Sequence, residues 1–341
     1  MKILEVSRYK NNFADHQLPF VTEQGEAILA LGNEVEYFLV KGSYLLAVRE
    51  LKKKIREFKP DIVHAHFGLS AITAELQSFV PVVTTFHNGE THHWYVNLLT
   101  SLMSLRAKHV IYVAEHIHQK VYLKAKNYSI IPCGVTLEDC FLMDKAEARK
   151  KLGWDADKKY IMFGGAFSNA RKNYPLLRDA VSRLNDEMSR VDALNEPLTL
   201  NDGSEQFGNI VCVEMKGLSR AECVLRMNAC DVFALPTKNE GSPQALKEAM
   251  ACNCPIVATD VADIKHLLGD LLGHYILPNK NGTPADWVGD EHSTEELAEL
   301  LKQAFAFKGK TKGRERIMEL QLTNEQVAKR IIEIYNSILN K

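Results

Sequence analysis

The sequence lacks both a long apolar run and a net charge. No uninterrupted apolar stretch reaches the ~18–20 residues that a membrane-spanning helix requires, so no such helix is predicted. Lys and Arg total 42 against 43 for Asp and Glu, which leaves a net charge of -1 and no positive field to attract nucleic acid. The 341 residues have 46% hydrophobic content, as is typical of soluble globular proteins. This length exceeds that of most single hydrophobic cores and predicts two domains.

Paired cysteines and a signal peptide are also missing. The cysteine count, seven, is odd, and Cys252-Asn253-Cys254 lacks the second cysteine pair of a zinc site. We therefore expect free thiols in a reducing cytosol. The opening stretch 1–6 carries Glu5 and runs directly into Ser7, which is typical of a first strand and not of a signal peptide. A cytoplasmic protein is predicted.

Apolar runs of strand length alternate with stretches of helical periodicity in two series. The first series runs from a strand at 1–6 to a strand at 129–132, and the second from a strand at 160–165 to one at 275–277. Such alternation predicts parallel sheets with helices on both faces. The predicted fold class is therefore α/β: two doubly wound, Rossmann-like domains whose sheets face each other across a cleft. Ligands are expected beyond the carboxyl ends of the strands.

Some stretches depart from this alternation. Residues 141–157 are charged, include a predicted helix at 145–152, and are expected to form a linker. Residues 201–209 are polar and predict a loop. After a helix that ends near 307, the next predicted helix begins at Thr323, where Thr323-Asn324-Glu325-Gln326 forms a helix-capping sequence.

The strongest candidate site is the stretch Glu240–Glu248. It lies between two buried strand patterns, 231–235 and 254–259. Its sequence predicts a loop and then a helix through 244–251, with Pro243 in the first turn. This places the stretch at the carboxyl end of a strand, where ligands bind.

Two carboxylates bracket the start of the predicted helix. Gly241 and Ser242 offer backbone N–H groups there, and such groups bind anions. Glu240 and Glu248 on either side are suited to hydroxyl groups rather than to phosphate. Phosphate beside hydroxyl groups indicates a sugar nucleotide. The alternative is a solvated glutamate pair, which the strand–loop–helix context disfavours.

A second candidate site is the loop after the strand at 160–165. Gly164 and Gly165 allow close approach of the backbone to a ligand. Arg171 and Lys172 place two cations nearby, and a guanidinium can hold a diphosphate through two parallel hydrogen bonds. The loop is neither a Walker A sequence nor a Gly-x-Gly-x-x-Gly fingerprint. The alternative is a pair of solvated surface cations.

Histidines mark the first predicted sheet. His87 follows the strand at 80–86 and would face the cleft, with a purely structural capping role as the alternative. His64 and His66 lie on one face of a strand. Two histidines without a third ligand indicate packing and hydrogen bonding, so no metal site is predicted.

These motifs together resemble one family. The segment from Asp231-Val232-Phe233-Ala234-Leu235-Pro236 through Glu240-Gly241-Ser242-Pro243 and Glu248-Ala249-Met250-Ala251 resembles the donor-site signature of retaining glycosyltransferases of family 4. These enzymes have the two-domain GT-B architecture. Three further segments resemble the same family in the same order: Pro60–His66, Pro81–His87 and Ile130–Val135.

The resemblance implies roles for individual residues. Catalysis would involve Glu240 on the donor sugar, His87 on the transferred sugar and Lys172 on the diphosphate. The implied chemistry is front-face displacement with retention, in which the cations offset the leaving-group charge without a metal or other cofactor. Donor binding is implied for Gly165, Arg171, Lys172, Gly241, Ser242, Pro243, Gln244 and, on the ribose, Glu248.

The resemblance also implies a division of labour and shows two departures. Residues 1–140 with the C-terminal helix 324–341 would form the acceptor-side domain, and residues 158–323 the donor domain. The family arginine after the loop glycine is replaced by Ala166, with Arg171 as the candidate substitute. The first loop, 7–19, lacks the family glycines. Its Asn12 and His16 are therefore assigned to the acceptor side.

The sequence thus predicts a cytosolic hexosyltransferase. It would move a hexose from a nucleotide diphosphate sugar to a hydroxyl of a saccharide or lipid-linked saccharide, in cell-surface polysaccharide biosynthesis. The alternatives are a sugar-nucleotide epimerase of the same fold and a non-catalytic sugar-nucleotide-binding protein. The basic helix at 49–59 would allow peripheral contact with the inner face of the membrane, against the alternative of a solvated helix face.

Overall fold

Two compact units make up the chain. The structure, a computed structural model, describes residues 1–11, 18–189 and 197–340. The first unit comprises Met1–Thr136 and Gln321–Lys341, and the second comprises Leu137–Leu320. Among the residues so described, no helix is both long enough and apolar enough to cross a membrane.

The first unit is built on a six-stranded parallel sheet in the order β2-β1-β3-β4-β5-β6. Its strands are β1 (Lys2–Arg8), β2 (Glu34–Val40), β3 (Ile62–His66), β4 (Val82–Phe86), β5 (His109–Tyr112) and β6 (Tyr128–Ile130). Its helices are α1 (Pro19–Ala30), α2 (Ala47–Phe58), α3 (Gly68–Glu75), α4 (Trp94–Ser104), α5 (Glu115–Lys120) and α13 (Asn324–Leu339). The predicted parallel α/β domain is confirmed.

Both faces of this sheet are covered by apolar cores. On one face, Leu51 and Ile55 of α2 pack against strand residues. On the other face, Ile28 of α1 packs with Ile331 and Tyr335 of α13. The C-terminal helix therefore completes the core of the first unit, although it lies far from that unit along the chain.

The second unit contains a seven-stranded sheet in the order β13-β12-β11-β7-β10-β9-β8. Its strands are β7 (Lys159–Phe163), β8 (Leu198–Thr199), β9 (Glu205–Phe207), β10 (Ile210–Glu214), β11 (Val232–Leu235), β12 (Ile256–Thr259) and β13 (His274–Leu277). Its helices are α6 (Lys145–Leu152), α7 (Tyr174–Ser189), α8 (Arg220–Ala229), α9 (Gln244–Ala251), α10 (Ile264–Leu268), α11 (Ser293–Ala306) and α12 (Gly313–Glu319). The five strands from β13 to β10 are parallel, which confirms the second Rossmann-like domain.

Two elements of this unit differ from the sequence prediction. The loop predicted over 201–209 contains β9, which pairs antiparallel with both β8 and β10. Gly203, at a φ of 80°, allows the tight turn that brings β9 back along β8. Helix α12 was not predicted, because it is short and four of its seven residues are charged.

The stretch 141–157, expected to be a linker, lies inside the second unit. Helix α6 packs against α8. Its Arg149 donates to the carboxylate of Asp231 at 2.7 Å and to the carbonyl of Ala229 at 3.0 Å. The charged residues that suggested an exposed connection are thus partly engaged in a buried ion pair, and the first unit ends at Thr136 rather than at residue 140.

Candidate active site

In the second unit, Lys172 and Glu240 form an ion pair. Strands β7 and β11 are neighbours in the sheet, so the loops that follow them lie side by side. Lys172 Nζ donates to Glu240 Oε1 at 2.6 Å, with only 14% and 10% of the two side chains exposed. Thr237 Oγ1 donates to the same oxygen at 3.0 Å. The structure therefore brings together the two residues that the sequence assigned to the centre of one site.

Gly165 makes room for this pair. A Cβ atom added to Gly165 would lie 2.7 Å from Cγ of Lys172 and 3.2 Å from its Cβ. The Lys172 side chain therefore passes directly over the Gly165 backbone. The sequence predicted close approach of a ligand to this glycine, whereas its close neighbour in the structure is a protein side chain.

Arg171 lies beside the pair through its backbone. Its carbonyl accepts a hydrogen bond from the Lys238 N–H at 2.9 Å and lies 3.1 Å from Thr237 Oγ1. The residue is exposed, and within the described ranges its guanidinium forms no hydrogen bond or ion pair. Arg171 thus fixes the loop and presents a solvated cation.

The start of α9 is fixed by internal contacts. Pro243 precedes the helix, which begins at Gln244 as predicted. Ser242 Oγ donates to Asp263 Oδ2 at 2.6 Å, and the fully buried Lys247 lies 3.4 Å from Ser242 Oγ. Burial raises the pKa of Asp263 to about 6, while Lys247 opposes the shift. The Ser242 hydroxyl therefore ties the turn at Gly241 to the start of α10.

Glu248 is paired with a residue that sequence reasoning missed. Its Oε1 lies 3.1 Å from a terminal nitrogen of Arg220, and its side chain is 8% exposed. Arg220 is the first residue of α8, whose N-terminus is closed by a capping box of Ser219 and Glu222. No local pattern links positions 220 and 248, because only the packing of α8 beside α9 brings them together.

In the first unit, Glu5, His66 and His87 form a hydrogen-bonded array. Glu5 Oε2 lies 2.8 Å from His66 Nε2, and His66 Nδ1 lies 3.2 Å from His87 Nε2. Glu5 and His66 are fully buried on β1 and β3, whereas His87 follows β4. Because the bond made by one ring nitrogen decides the role of the other, the array sets the tautomer and orientation of His87.

The backbone and two aromatic rings also hold His87. Its N–H donates to Glu90 Oε2 at 3.2 Å, and Glu90 also accepts from the Gly68 N–H at 2.8 Å. The rings of Phe20 and Phe67 lie 4.8 and 4.6 Å from the imidazole, between centroids. Burial raises the pKa of Glu90 above its ordinary value.

Neither Glu5 nor Glu90 was predicted as part of a site. A charged residue inside the apolar strand β1 was the available signal for Glu5, because charged side chains are rarely buried without a partner. Glu90 lies three residues after His87 but is distant from Gly68 in sequence. Its bridging position follows from the adjacent ends of β3 and β4.

His64 shares the interior with this array. The ligand atoms of Glu5, His64 and His66 lie within 4.8 Å of one another, so Glu5 supplies the third group that the sequence pattern lacked. His64 Nδ1 lies 2.6 Å from the hydroxyl of Tyr335, and its Nε2 lies 2.7 Å from Thr85 Oγ1. Burial lowers the pKa of His64 well below its ordinary value. Both His64 nitrogens are therefore engaged in hydrogen bonds.

The two residues assigned to the acceptor side, Asn12 and His16, lie outside the described residues.

Comparison with known proteins identifies the family. Residues 23–139 match the model described as "Glycosyltransferase Family 4", and residues 144–317, about half of the chain, match "Glycosyl transferases group 1". The putative teichuronic acid biosynthesis glycosyltransferase TuaC of Bacillus subtilis is 26% identical over 229 residues, which cover 63% of this chain and 57% of TuaC.

A second curated relative comes from Campylobacter jejuni. The N,N'-diacetylbacillosaminyl-diphospho-undecaprenol alpha-1,3-N-acetylgalactosaminyltransferase is 27% identical over 172 residues, which cover 48% of this chain and 46% of that enzyme. The chain thus spans about half the length of these two curated relatives.

Solved structures share the fold over nearly the whole chain. Sucrose-phosphate synthase from Thermosynechococcus elongatus superposes with a TM-score of 0.75 at 17% identity, covering 99% of both chains. HepE from Anabaena, in complex with UDP-glucose, superposes with a TM-score of 0.69 at 15% identity, covering 99% of this chain and 100% of HepE. With both family models matched in order and the fold shared end to end, the chain belongs to the group 1 glycosyltransferases of the GT-B fold.

Proposed function

We propose that the protein is a retaining hexosyltransferase that uses a nucleotide diphosphate sugar. The observation that carries the proposal is the Lys172–Glu240 pair at the adjacent ends of β7 and β11. A cation beside a carboxylate offers one group for a diphosphate and one for sugar hydroxyls. The acceptor is proposed to be a hydroxyl of a saccharide or lipid-linked saccharide, in cell-surface polysaccharide biosynthesis. The name of the Campylobacter relative, which acts on a diphospho-undecaprenol substrate, supports that class.

The donor roles follow the geometry of the second unit. Glu248 is proposed to bind the ribose hydroxyls, with Arg220 holding the carboxylate in place. The backbone of Gly241–Gln244 would hold the phosphate or sugar at the start of α9. Glu240 is engaged by Lys172 and Thr237, so it is proposed to position sugar hydroxyls and not to act as a general base.

The reaction is proposed to be a front-face displacement. Negative charge develops on the leaving diphosphate, and fixed cations aimed at that charge lower the barrier. Lys172 and Arg171 would supply them, so no metal or other cofactor is proposed. His87 would contact the transferred sugar and keep its orientation through the Glu5–His66–His87 array. Activity that is unchanged by EDTA would support the metal-independent form, and activity lost in EDTA and restored by a divalent cation would contradict it.

A thermal-shift screen of nucleotide sugars tests donor binding. A ligand that binds only the folded state raises the melting temperature by mass action. We expect a sugar nucleotide to raise it in the wild type and to have a much smaller effect in Lys172→Met. The matched control is Lys151→Met, because Lys151 is an exposed cation of the same unit that pairs with Glu147. No shift with any nucleotide sugar, or an equal shift in Lys172→Met, would contradict the proposal.

A further inference from the structure

Helix α4 presents an apolar face outward and a polar face inward. Large apolar side chains of α4 and the residue after it are 39–69% exposed: Trp94, Tyr95, Leu98, Leu99, Leu102 and Leu105. The buried residues of the same helix are Asn97, Thr100, Ser101 and Ser104. A surface helix normally has the opposite arrangement. We call the six exposed residues the α4 apolar face.

Hydrogen bonds hold the polar side of α4 inward. Asn97 Nδ2 donates to the carbonyl of Lys120 at 2.9 Å, and Ser101 Oγ donates to Asn97 Oδ1 at 3.0 Å. Thr100 packs closely on Gly68, the first residue of α3. A Cβ atom added to Gly68 would lie 2.5 Å from the Cβ atom of Thr100. Rotating α4 to hide its apolar face would break these contacts, so the face stays exposed.

The chain around α4 is basic. Between residues 91 and 137 the only acid is Glu115, and the cations are Arg106, Lys108, Lys120, Lys124 and Lys126. Arg106 and Lys108 follow the helix directly. Asn97 Oδ1 accepts from the Tyr122 N–H, which places the 120–124 segment, with its exposed Tyr122 and Lys124, beside α4.

We propose that the α4 apolar face docks on an anionic lipid membrane. An interfacial helix combines an apolar face with surrounding cations, and Trp and Tyr favour the headgroup level. Helix α4, about 16 Å long, would lie in the membrane plane with its leucines in the acyl boundary. A second copy of the chain is a poorer occupant, because a two-fold interface would bring the same cations against each other.

This surface differs from the basic helix that the sequence suggested. Helix α2 buries Leu51 and Ile55 in the core. Two of its lysines are already in ion pairs, Lys53 with Glu57 and Lys54 with Glu36. It therefore has fewer unpaired cations than its sequence implied. The proposed contact accordingly moves from helix 49–59 to α4.

Vesicle co-sedimentation of the full chain tests the proposal without donor or acceptor, so its outcome does not depend on the proposed hexosyl transfer. The probe is vesicles of phosphatidylglycerol and phosphatidylcholine, compared with phosphatidylcholine alone. We expect wild-type protein to bind the anionic vesicles, less tightly as salt rises. Trp94→Ser/Leu98→Ser/Leu102→Ser should reduce the partition coefficient by roughly tenfold or more, because three large apolar side chains are lost.

Two control variants separate α4 from other surfaces. Leu45→Ser/Leu46→Ser removes equally exposed apolar residues before α2 and should bind as wild type does. Lys52→Glu/Lys53→Glu/Lys54→Glu tests α2 and should retain most of the binding. Unchanged melting temperatures would show that all three variants are folded.

Three results would overturn the proposal. The first is that wild-type protein does not bind anionic vesicles at low salt. The second is that the triple serine variant binds as tightly as wild type does. The third is that binding is lost in a control variant and retained in the triple serine variant. Self-association of wild type that the triple serine variant abolishes, without vesicle binding, would assign the face to a second copy instead.

Discussion

His87 depends on residues that lie well behind it. Glu5 and His66 are fully buried, and hydrogen bonds connect them to the imidazole of His87. The other carboxylate oxygen of Glu5 has no hydrogen-bond partner among the described residues. Glu5 is hydrogen-bonded to His66, and His66 to His87, so Glu5 acts as a positioning residue for His87.

Glu5→Gln should lower turnover and spare donor binding. The amide keeps the size of the side chain but removes the charge that orients His66. We expect kcat to fall by about tenfold to a hundredfold, as for other outer partners of functional histidines. The thermal shift caused by the donor should change little, because the proposed ligands of its ribose and diphosphate lie in the second unit and only His87 of the first unit is proposed to contact its sugar. Histidine ring 15N chemical shifts should report a changed tautomer population.

The control for Glu5→Gln is Thr84→Val. Thr84 is equally buried on β4, and its hydroxyl has no hydrogen-bond partner in the part of the chain that the structure describes. It should retain turnover. Full turnover and unchanged 15N shifts in Glu5→Gln would mean that the array does not position His87.

At this scale the sequence predicted a contact between loops that follow strands and missed contacts that depend on the register between strands. Lys172 and Glu240 were predicted together, because each follows a strand and carboxyl ends of parallel strands meet at one edge. Glu5 was missed because its neighbours depend on the register of β1 beside β3, where Glu5 is paired with His64. Single-sequence periodicity contains no information on register between strands.

Among the elements, α9 shows why some boundaries could be predicted. Proline is favoured at the start of a helix and disfavoured in its interior, and the apolar spacing through Ala251 is helical, so the predicted bounds 244–251 agree with the structure, with Pro243 at the residue before the helix. Helix α12 gave no such signal. Its stability comes from contacts with α9 and α10, which are remote in sequence.

Arg314 of α12 is the residue that fixes the entry into the second unit. Its guanidinium donates to the carbonyls of Leu137 at 2.9 Å, Cys140 at 2.7 Å and Ala251 at 3.0 Å. These bonds connect the first residues of the unit to the end of α9. They also explain why this segment belongs to the second unit and not to a free linker.

Arg314→Ala should destabilise the second unit by about 2–4 kcal/mol, because three carbonyls lose a charged donor. Calorimetric unfolding measures the change. Lys312→Ala, at a neighbouring and exposed position, should change the stability by less than about 0.5 kcal/mol. Equal melting temperatures for both variants would show that the Arg314 contacts contribute little.

For the whole molecule, the main feature is that the chain passes from the first unit to the second and back. Val135 N–H donates to the Leu322 carbonyl, and Asn324 N–H donates to the Val135 carbonyl, so the returning segment joins where the first unit ends. Sequence reasoning assigned the last helix to the first domain through the family resemblance. The apolar face of α13 supplies the physical reason, since Ile331 and Tyr335 are buried.

The contribution of Glu75 to the free energy of unfolding should fall as the pH rises. Burial raises the pKa of Glu75 to about 8, against the opposing charges of Arg106 and Lys108. The folded protein therefore keeps a proton that the unfolded chain releases above about pH 4.5. Between about pH 5 and pH 8 this contribution should decrease by up to about 1.4 kcal/mol per pH unit, whereas the buried His64 and His274, whose pKa values burial lowers, contribute with the opposite sign below about pH 6.5.

Urea unfolding at several pH values measures this slope. Glu75→Gln removes the titrating group, so the stability of the variant relative to wild type should increase from pH 5 to pH 8. A variant whose stability changes with pH in the same way as that of the wild type would show that Glu75 is not held protonated.

The most direct test of hexosyl transfer is the release of nucleoside diphosphate from the donor that the thermal-shift screen identifies. Wild-type protein should release it at a low rate without acceptor, as hydrolysis, and faster with a suitable saccharide acceptor. Lys172→Met should reduce the rate by about 10²–10³-fold, the cost of removing one fixed group that stabilises developing charge. Glu240→Gln should also reduce it. Saturable binding of the donor with no release, with or without any acceptor, would contradict a transferase and identify a binding protein.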